Sequence, residues 1–194
     1  MKKRYLYIFI FLLAGCSALQ APHTEYTHLY LLDAQPTTTV GTQHNRVLAV
    51  SPTTARSGYD TPQIAYLRQP LELEYFATHR WADTPAHMIK PLLIQTLTPK
   101  YAAVAAGQVS ANFRLDTELI RLQQDFTAQP SRVQITLRAQ LIDVQEKRII
   151  AVREFDATEP SASEDAYGGV LAANRAMLRI LTKLAESGYK VIDM

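Results

Sequence analysis

Cysteine is almost absent from this chain: Cys16 stands alone among 194 residues. A single thiol forms no disulfide within the chain and no all-cysteine metal site. Glycine is sparse, at 7 residues, and none of it forms a loop that would cradle phosphate. There is no GxSxG elbow and no HExxH helix. The 5 histidines, His23, His28, His44, His79 and His87, lack ligand spacing to one another or to carboxylates, so they read as isolated surface groups. These absences nominate no catalytic residue, metal ligand or cofactor, and the chain reads as non-enzymatic. Long apolar runs are missing too. The longest, Leu6 to Leu13, is far short of the roughly 20 residues that span a bilayer.

What the N-terminus does contain is an ordered set of signals. Lys2, Lys3 and Arg4 precede that apolar run, and Leu13-Ala14-Gly15-Cys16 closes it. A basic segment, a short apolar segment and small residues before a cut are the parts of a secretory signal. The ending resembles the lipobox of bacterial lipoproteins, in which the bond before the cysteine, here Gly15–Cys16, is cleaved. The resemblance implies a diacylglyceryl group on the Cys16 thiol and a further acyl chain, such as palmitate, on the new amine. Residues 1–15 are then a lipoprotein signal peptide and 16–25, with Pro22, a lipidated flexible tether. Residue 17 is serine, not the aspartate that retains many Gram-negative lipoproteins at the inner membrane. That points to the periplasmic face of the outer membrane. Without residues 1–15 the chain carries 17 Lys plus Arg against 18 Asp plus Glu, a balance that argues against nucleic acid as partner.

The remainder, 26–194, is long enough for one domain with its own core. Tyr26 to Leu32, Arg46 to Val50, Gln63 to Leu67 and Leu71 to Phe76 read as strands. In the last of these, Glu72 and Glu74 form a solvated face. Pro85 opens a predicted helix, capped by Asp83 or Thr84, over about 84–98. Its stripe is Met88, Ile89, Leu92, Leu93, Thr96 and Leu97, with a kink expected at Pro91. Residues Val109 to Leu122 alternate and then change parity, which predicts a β-bulge. Val133, Ile135, Leu137, Ala139 and Leu141 alternate cleanly, and Ile149 to Phe155 returns after a polar reversal. These three segments predict an antiparallel meander. A second helix, about 163–187, starts at a capping box of Ser161 with Glu164, or at Ser163, and stops at Gly188. Its core face is predicted as Tyr167, Val170, Leu171, Asn174, Leu178, Leu181 and Leu184. Gly168-Gly169 either permits close packing or has no role. The fold class is α+β, a mostly antiparallel sheet packed by two main helices.

Laid out in order, the chain resembles the auxiliary lipoproteins of ABC-type transport systems, which work with MCE-domain lipid transporters. The resemblance runs over roughly 26–190. It is carried by Tyr26 and Tyr30, by Tyr66…Pro70…Glu74-Tyr75 leading to His79-Arg80-Trp81-Ala82, and by Pro85 with Met88-Ile89…Pro91-Leu92. It continues through Phe113-Arg114-Leu115 and Glu118-Leu119 to Ala172-Ala173-Asn174-Arg175-Ala176. It implies an outer-membrane lipoprotein partnered with an MCE-domain periplasmic subunit and, through it, an ABC permease and ATPase. A homo-oligomer would suit docking on a symmetric conduit. Tyr75 and Trp81 are the expected interaction residues or structural anchors. The alternatives are a periplasmic lipid carrier, with Met88, Ile89, Leu92 and Leu93 lining an acyl groove, and an outer-membrane assembly lipoprotein.

Overall fold

The strand read most plainly from sequence anchors the molecule. β8 (Arg132–Asp143) turns Val133, Ile135, Leu137, Ala139 and Leu141 inward, all nearly inaccessible, and Gln134, Arg138 and Gln140 outward. It pairs antiparallel with β7 (Phe113–Asp125) on one edge and β9 (Arg148–Pro160) on the other. The expected meander is therefore present. The computed structural model describes residues 26–35, 44–107 and 110–187. Gly15, Cys16, the tether, most of the Asp33–Asn45 loop, Val109 and Gly188 lie outside the described residues.

The parity change in β7 is a bulge. Leu119 pairs with Leu137 and Arg121 with Thr136, which leaves Ile120 without an opposite residue. Two residues facing one partner keep Leu115 and Leu119 inward before the bulge, and Leu122 and Gln124 inward after it.

The other edge of β7 departs from expectation. Three short strands share it in succession, all parallel to β7: β2 (His44–Val50), β3 (Thr54–Ala55) and β4 (Gln63–Leu67). The sheet is thus mixed rather than purely antiparallel, although its three longest strands form the expected antiparallel meander. β4 pairs antiparallel with β5 (Glu74–Trp81), which pairs in parallel with β1 (His28–Tyr30). β2 pairs in parallel with β6 (Tyr101–Ala105), an alanine-rich strand whose sequence offers no alternation to read. The strand predicted at Leu71 to Phe76 begins instead at Glu74 and runs through Trp81. Leu71 belongs to the preceding turn, at φ 69° and fully exposed. Glu72 and Glu74 accordingly share no sheet face: Glu72 accepts from Gln69 in that turn, and Glu74 accepts from the Tyr66 hydroxyl at 2.8 Å.

Helix α1 (Pro85–Leu97) follows Thr84, whose side chain makes no capping hydrogen bond; Pro85 occupies the first turn, where no amide partner is needed. The helix continues through Pro91 and buries Ile89, Leu92, Leu93, Thr96 and Leu97. Helix α2 (Ala166–Glu186) corrects two expectations. Its cap is Asp165, which accepts from the Gly168 amide at 2.7 Å, while Glu164 turns away to accept from the Ser131 amide at 2.8 Å. Its buried face is also rotated from the predicted one. Gly168, Gly169, Ala172, Ala173, Ala176, Met177 and Ile180 face the core beside Val170, Leu181 and Leu184, whereas Tyr167 and Leu171 are exposed. Small residues win this face because the helix lies close to the sheet. A Cβ on Gly169 would collide with the Gln124 side chain of β7, while one on Gly168 would collide with the Ser163 backbone in the segment that leads into the helix. On its far flank α2 is fastened to β9: Arg175 and Arg179 reach the buried Glu159. One continuous core joins both helices to the sheet.

Candidate functional site

The chemistry-bearing side chains gather where the chain enters the domain. β1 adds to β5 in parallel register, matching His28 with His79, Leu29 with Arg80 and Tyr30 with Trp81. After Tyr30 the chain leaves the sheet and becomes a strap between the helices. Leu32 and Ala34 are buried, and the Leu32 amide lies 3.4 Å from Met88 Sδ of α1. Asn174 of α2 holds the strap from the other side, donating to the Leu31 carbonyl at 3.1 Å and accepting from the Asp33 amide at 2.7 Å.

Register brings rings together. The imidazoles of His28 and His79 stack with centroids 4.8 Å apart, and Tyr30 stacks near His79 at 5.8 Å. The Tyr30 hydroxyl lies 2.9 Å from His79 Nδ1 and donates to it when the ring proton is on Nε2. The series extends from Tyr26 through His28 to Phe76, Tyr66 and Phe126, and Tyr30 meets Tyr167 of α2 at 6.2 Å. Aromatic rings at these separations gain from edge and offset contacts beyond their buried area.

Burial holds His79 below the usual histidine range, and the neighbouring His28 adds to this while Asp165 opposes it. The fold thus favours the neutral ring more than the unfolded chain does, and protonation at low pH works against the fold. Burial likewise raises the Tyr30 phenol, helped by Asp165 and Tyr167.

Trp81 and Tyr75 occupy different places. Trp81 is 3% exposed, inside the core, its amide donating to the Pro62 carbonyl at 2.7 Å. Tyr75 is half-buried and donates to the Gly58 carbonyl at 2.9 Å, tying β5 to the Ser57–Asp60 turn. Neither joins the His28–His79 stack. Ile89 and Leu93 are completely buried and Leu92 nearly so; they pack in the core rather than lining a groove. Beside Trp81 is a small pocket of about 10 Å³, lined also by Ile64, Leu122, Gln124, Val133 and Gly169. That is room for one water, not an acyl chain. Among the described residues no three His, Cys, Asp or Glu side chains gather as a metal site.

The histidine pair and the exposed flank of α2 escaped the sequence reading. His28 and His79 are far apart along the chain, and only the parallel pairing of β1 with β5 joins them. The available signal was the Tyr-x-x-x-Tyr spacing at 26 and 30 around His28, which marks one aromatic face of a strand.

Fold and surface together define a class: a small α+β domain with a mixed sheet under two helices, presenting an aromatic edge beside its N-terminal entry. A family described as the ABC-type transport auxiliary lipoprotein component matches residues 30–185. The chain belongs to that family. Among solved structures, a protein from Xanthomonas campestris matches with a TM-score of 0.75 at 21% identity, covering 86% of this chain and 99% of its own. An uncharacterized protein matches with a TM-score of 0.70 at 14% identity, covering 84% and 99%. A hypothetical protein from Chlamydia trachomatis reaches 0.52 at 12% identity, covering 73% and 96%. At these identities the likeness is one of fold. No curated protein matches the chain.

Proposed function

We propose that this chain is a non-enzymatic auxiliary lipoprotein of an ABC/MCE-type system that moves lipids or lipophilic compounds between membranes. Cleavage at Gly15–Cys16 and acylation of Cys16 tether it to the periplasmic face of the outer membrane, where its domain docks the periplasmic MCE subunit and, through that subunit, the permease and ATPase. The observation that carries this reading is the family match, which spans both helices and nearly every strand. The lipobox at Leu13-Ala14-Gly15-Cys16 supplies the means of attachment. The closed packing of Ile89, Leu92 and Leu93 favours docking over carriage of an acyl chain within the domain.

The test is affinity purification of the full-length lipoprotein from crosslinked, gently solubilised envelopes, with Cys16→Ala as control. Recovery of an MCE-domain subunit that depends on Cys16 is the expected result. Recovery of a β-barrel protein alone would move the assignment to envelope assembly. Co-purified lipid without any protein partner would move it to a carrier.

A further inference from the structure

A groove of about 440 Å³ opens on the sheet face away from the helices, between β7 and the turn that joins β4 to β5. Past its bulge, β7 turns Leu122 and Gln124 toward the core and Arg121, Gln123 and Asp125 to this face. Gln134 of β8 stands directly opposite Gln123. Leu67, Pro70 and Leu71 form the wall above. All of them line the same opening.

The floor is fixed by its own hydrogen bonds. The Tyr59 hydroxyl donates to Gln123 Oε1 at 2.5 Å, Gln123 Nε2 to Gln134 Oε1 at 3.3 Å, and Gln134 Nε2 to Asp125 at 3.3 Å. Asp125 is held besides by the Thr127 amide at 2.9 Å and by Arg132 at 3.3 Å, so its charge is met within the domain. Arg121 differs: it lines the groove, and no described residue accepts a hydrogen bond from it. The wall is strained as well as uncovered. Leu71 sits at φ 69°, a conformation unfavourable to a residue with a bulky side chain, and that side chain is wholly in water. Strain of this kind clusters at binding and switch sites, where the surrounding fold sustains it.

We propose that this groove docks an extended peptide segment of the partner protein, one that sets a carboxylate on Arg121 and an aliphatic side chain against Leu67, Pro70 and Leu71. It rests on the docking role of the domain. Charge decides the sign of the occupant. The guanidinium is the uncommitted charge of the groove, and its planar fork matches a carboxylate in two parallel hydrogen bonds. The lining decides its kind. An acyl chain laid over Gln123, Gln134 and Asp125 would strip water from their polar atoms and return no hydrogen bond. Peptide backbone carries a donor and an acceptor at each residue and meets the same floor without that loss.

The experiment uses the full-length lipoprotein in intact envelopes. A photocrosslinker is placed at the groove by Leu71→p-benzoylphenylalanine or, as control, on exposed β9 by Val152→p-benzoylphenylalanine. The expected result is an adduct from position 71, and not from 152, with a segment of the MCE-domain subunit that contains Asp or Glu. Adding Arg121→Glu should lower its yield about tenfold, as for loss of one anchor of an interface. Exchanging the acidic residue of that segment for Lys should then restore it. Leu71→Gly separates docking from folding. Glycine adopts φ 69° without strain, so the thermal midpoint should hold while recovery of the subunit by affinity purification falls several-fold. If the wild-type chain recovers no subunit, the docking role is wrong and the groove falls with it. If wild type, Arg121→Glu and Leu71→Gly all recover it equally, docking stands and this groove is overturned. An adduct with lipid, with a second copy of the chain, or with a segment lacking a carboxylate would overturn the acidic peptide as occupant.

Discussion

At the scale of single residues, the two adjacent glycines of α2 separate cleanly into different constraints. A Cβ at 169 meets the end of the Gln124 side chain, which is buried and hydrogen-bonded to Ser131 and Ser161 at 3.0 and 3.2 Å. Gly169→Ala therefore displaces a side-chain amide, and overpacking of this kind costs about 1–3 kcal/mol. A Cβ at 168 meets the Ser163 backbone, which has no rotamer to escape into. Gly168→Ala is expected to cost more than Gly169→Ala when both are measured by urea denaturation, and the reverse order would contradict this packing. Asp165 is the second residue-scale case. Hydrogen bonds from the Gly168 amide, first, and then from the Ser163 hydroxyl hold its carboxyl below the ordinary aspartate value of 3.8 against the opposing effect of burial, with lesser help from the Tyr167 amide and His79. A carboxylate whose folded pKa is depressed contributes stability that is complete above its unfolded pKa and disappears as pH falls through the folded one. Asp165→Ala should cost about 1 kcal/mol at neutral pH through loss of the cap. Asp165→Asn should keep the cap at neutral pH and flatten the acid limb of a stability-versus-pH curve below pH 4, which wild type will show.

At the scale of elements, legibility followed how much of each element's partner was local. β8 is flanked by two long neighbours in sequence order, so its alternation alone identifies both faces. β2, β3 and β4 each use only two or three residues of the β7 edge, and nothing in His44–Val50 or Thr54–Ala55 announces a parallel partner in β7. α2 was misread for a related reason. Its largest residues, Tyr167 and Leu171, attract the eye, but the close approach to the sheet selects the Gly and Ala side. The β7 bulge was legible because a parity change leaves a mark within one strand. It also makes a prediction. Ile120 is the residue without a partner, and in its absence Leu119 and Arg121 would pair with Leu137 and Thr136 in unbroken succession. Deleting Ile120 therefore preserves the inside–outside order of β7. Such a variant should still unfold cooperatively, about 2–4 kcal/mol less stable for the lost buried side chain. Deleting Thr136, which lies in an unbroken stretch of β8, reverses the faces of one half of that strand. That variant should lose its cooperative transition in circular dichroism.

At the scale of the whole molecule, the N-terminal strap joins parts that would otherwise touch little. Its three-residue strand completes the sheet at β5, and the Tyr30 carbonyl accepts from the Ala82 amide at 2.7 Å, just ahead of α1. Leu32 and Ala34 then fill the core between the helices, and Asn174 clamps the strap to α2. This arrangement was only half visible in sequence. Tyr26 to Leu32 reads as a strand, but the passage of residues 31–35 along α2 depends on a polar side chain, Asn174, that periodicity had assigned to the core. The strap also lies between the tether and the domain, so a pull on the lipid anchor is carried by the β1–β5 ladder and by Asn174. Truncation separates its contribution from that of the tether. A chain beginning at Tyr26 should match one beginning at Ser17 in thermal stability, since every strap contact is retained. A chain beginning at Pro36 loses the burial of Leu32, the β1 ladder and both Asn174 bonds, together about 3 kcal/mol or more. Trp81 reports the change directly: it is the sole tryptophan, buried, and in register with Tyr30. Its emission should move to longer wavelength in the shorter chain as water reaches the uncovered edge of β5. An unchanged melting temperature and unchanged Trp81 emission would mean that the strap is laid over a core already closed without it, and that the domain's stability is independent of the segment through which it is tethered.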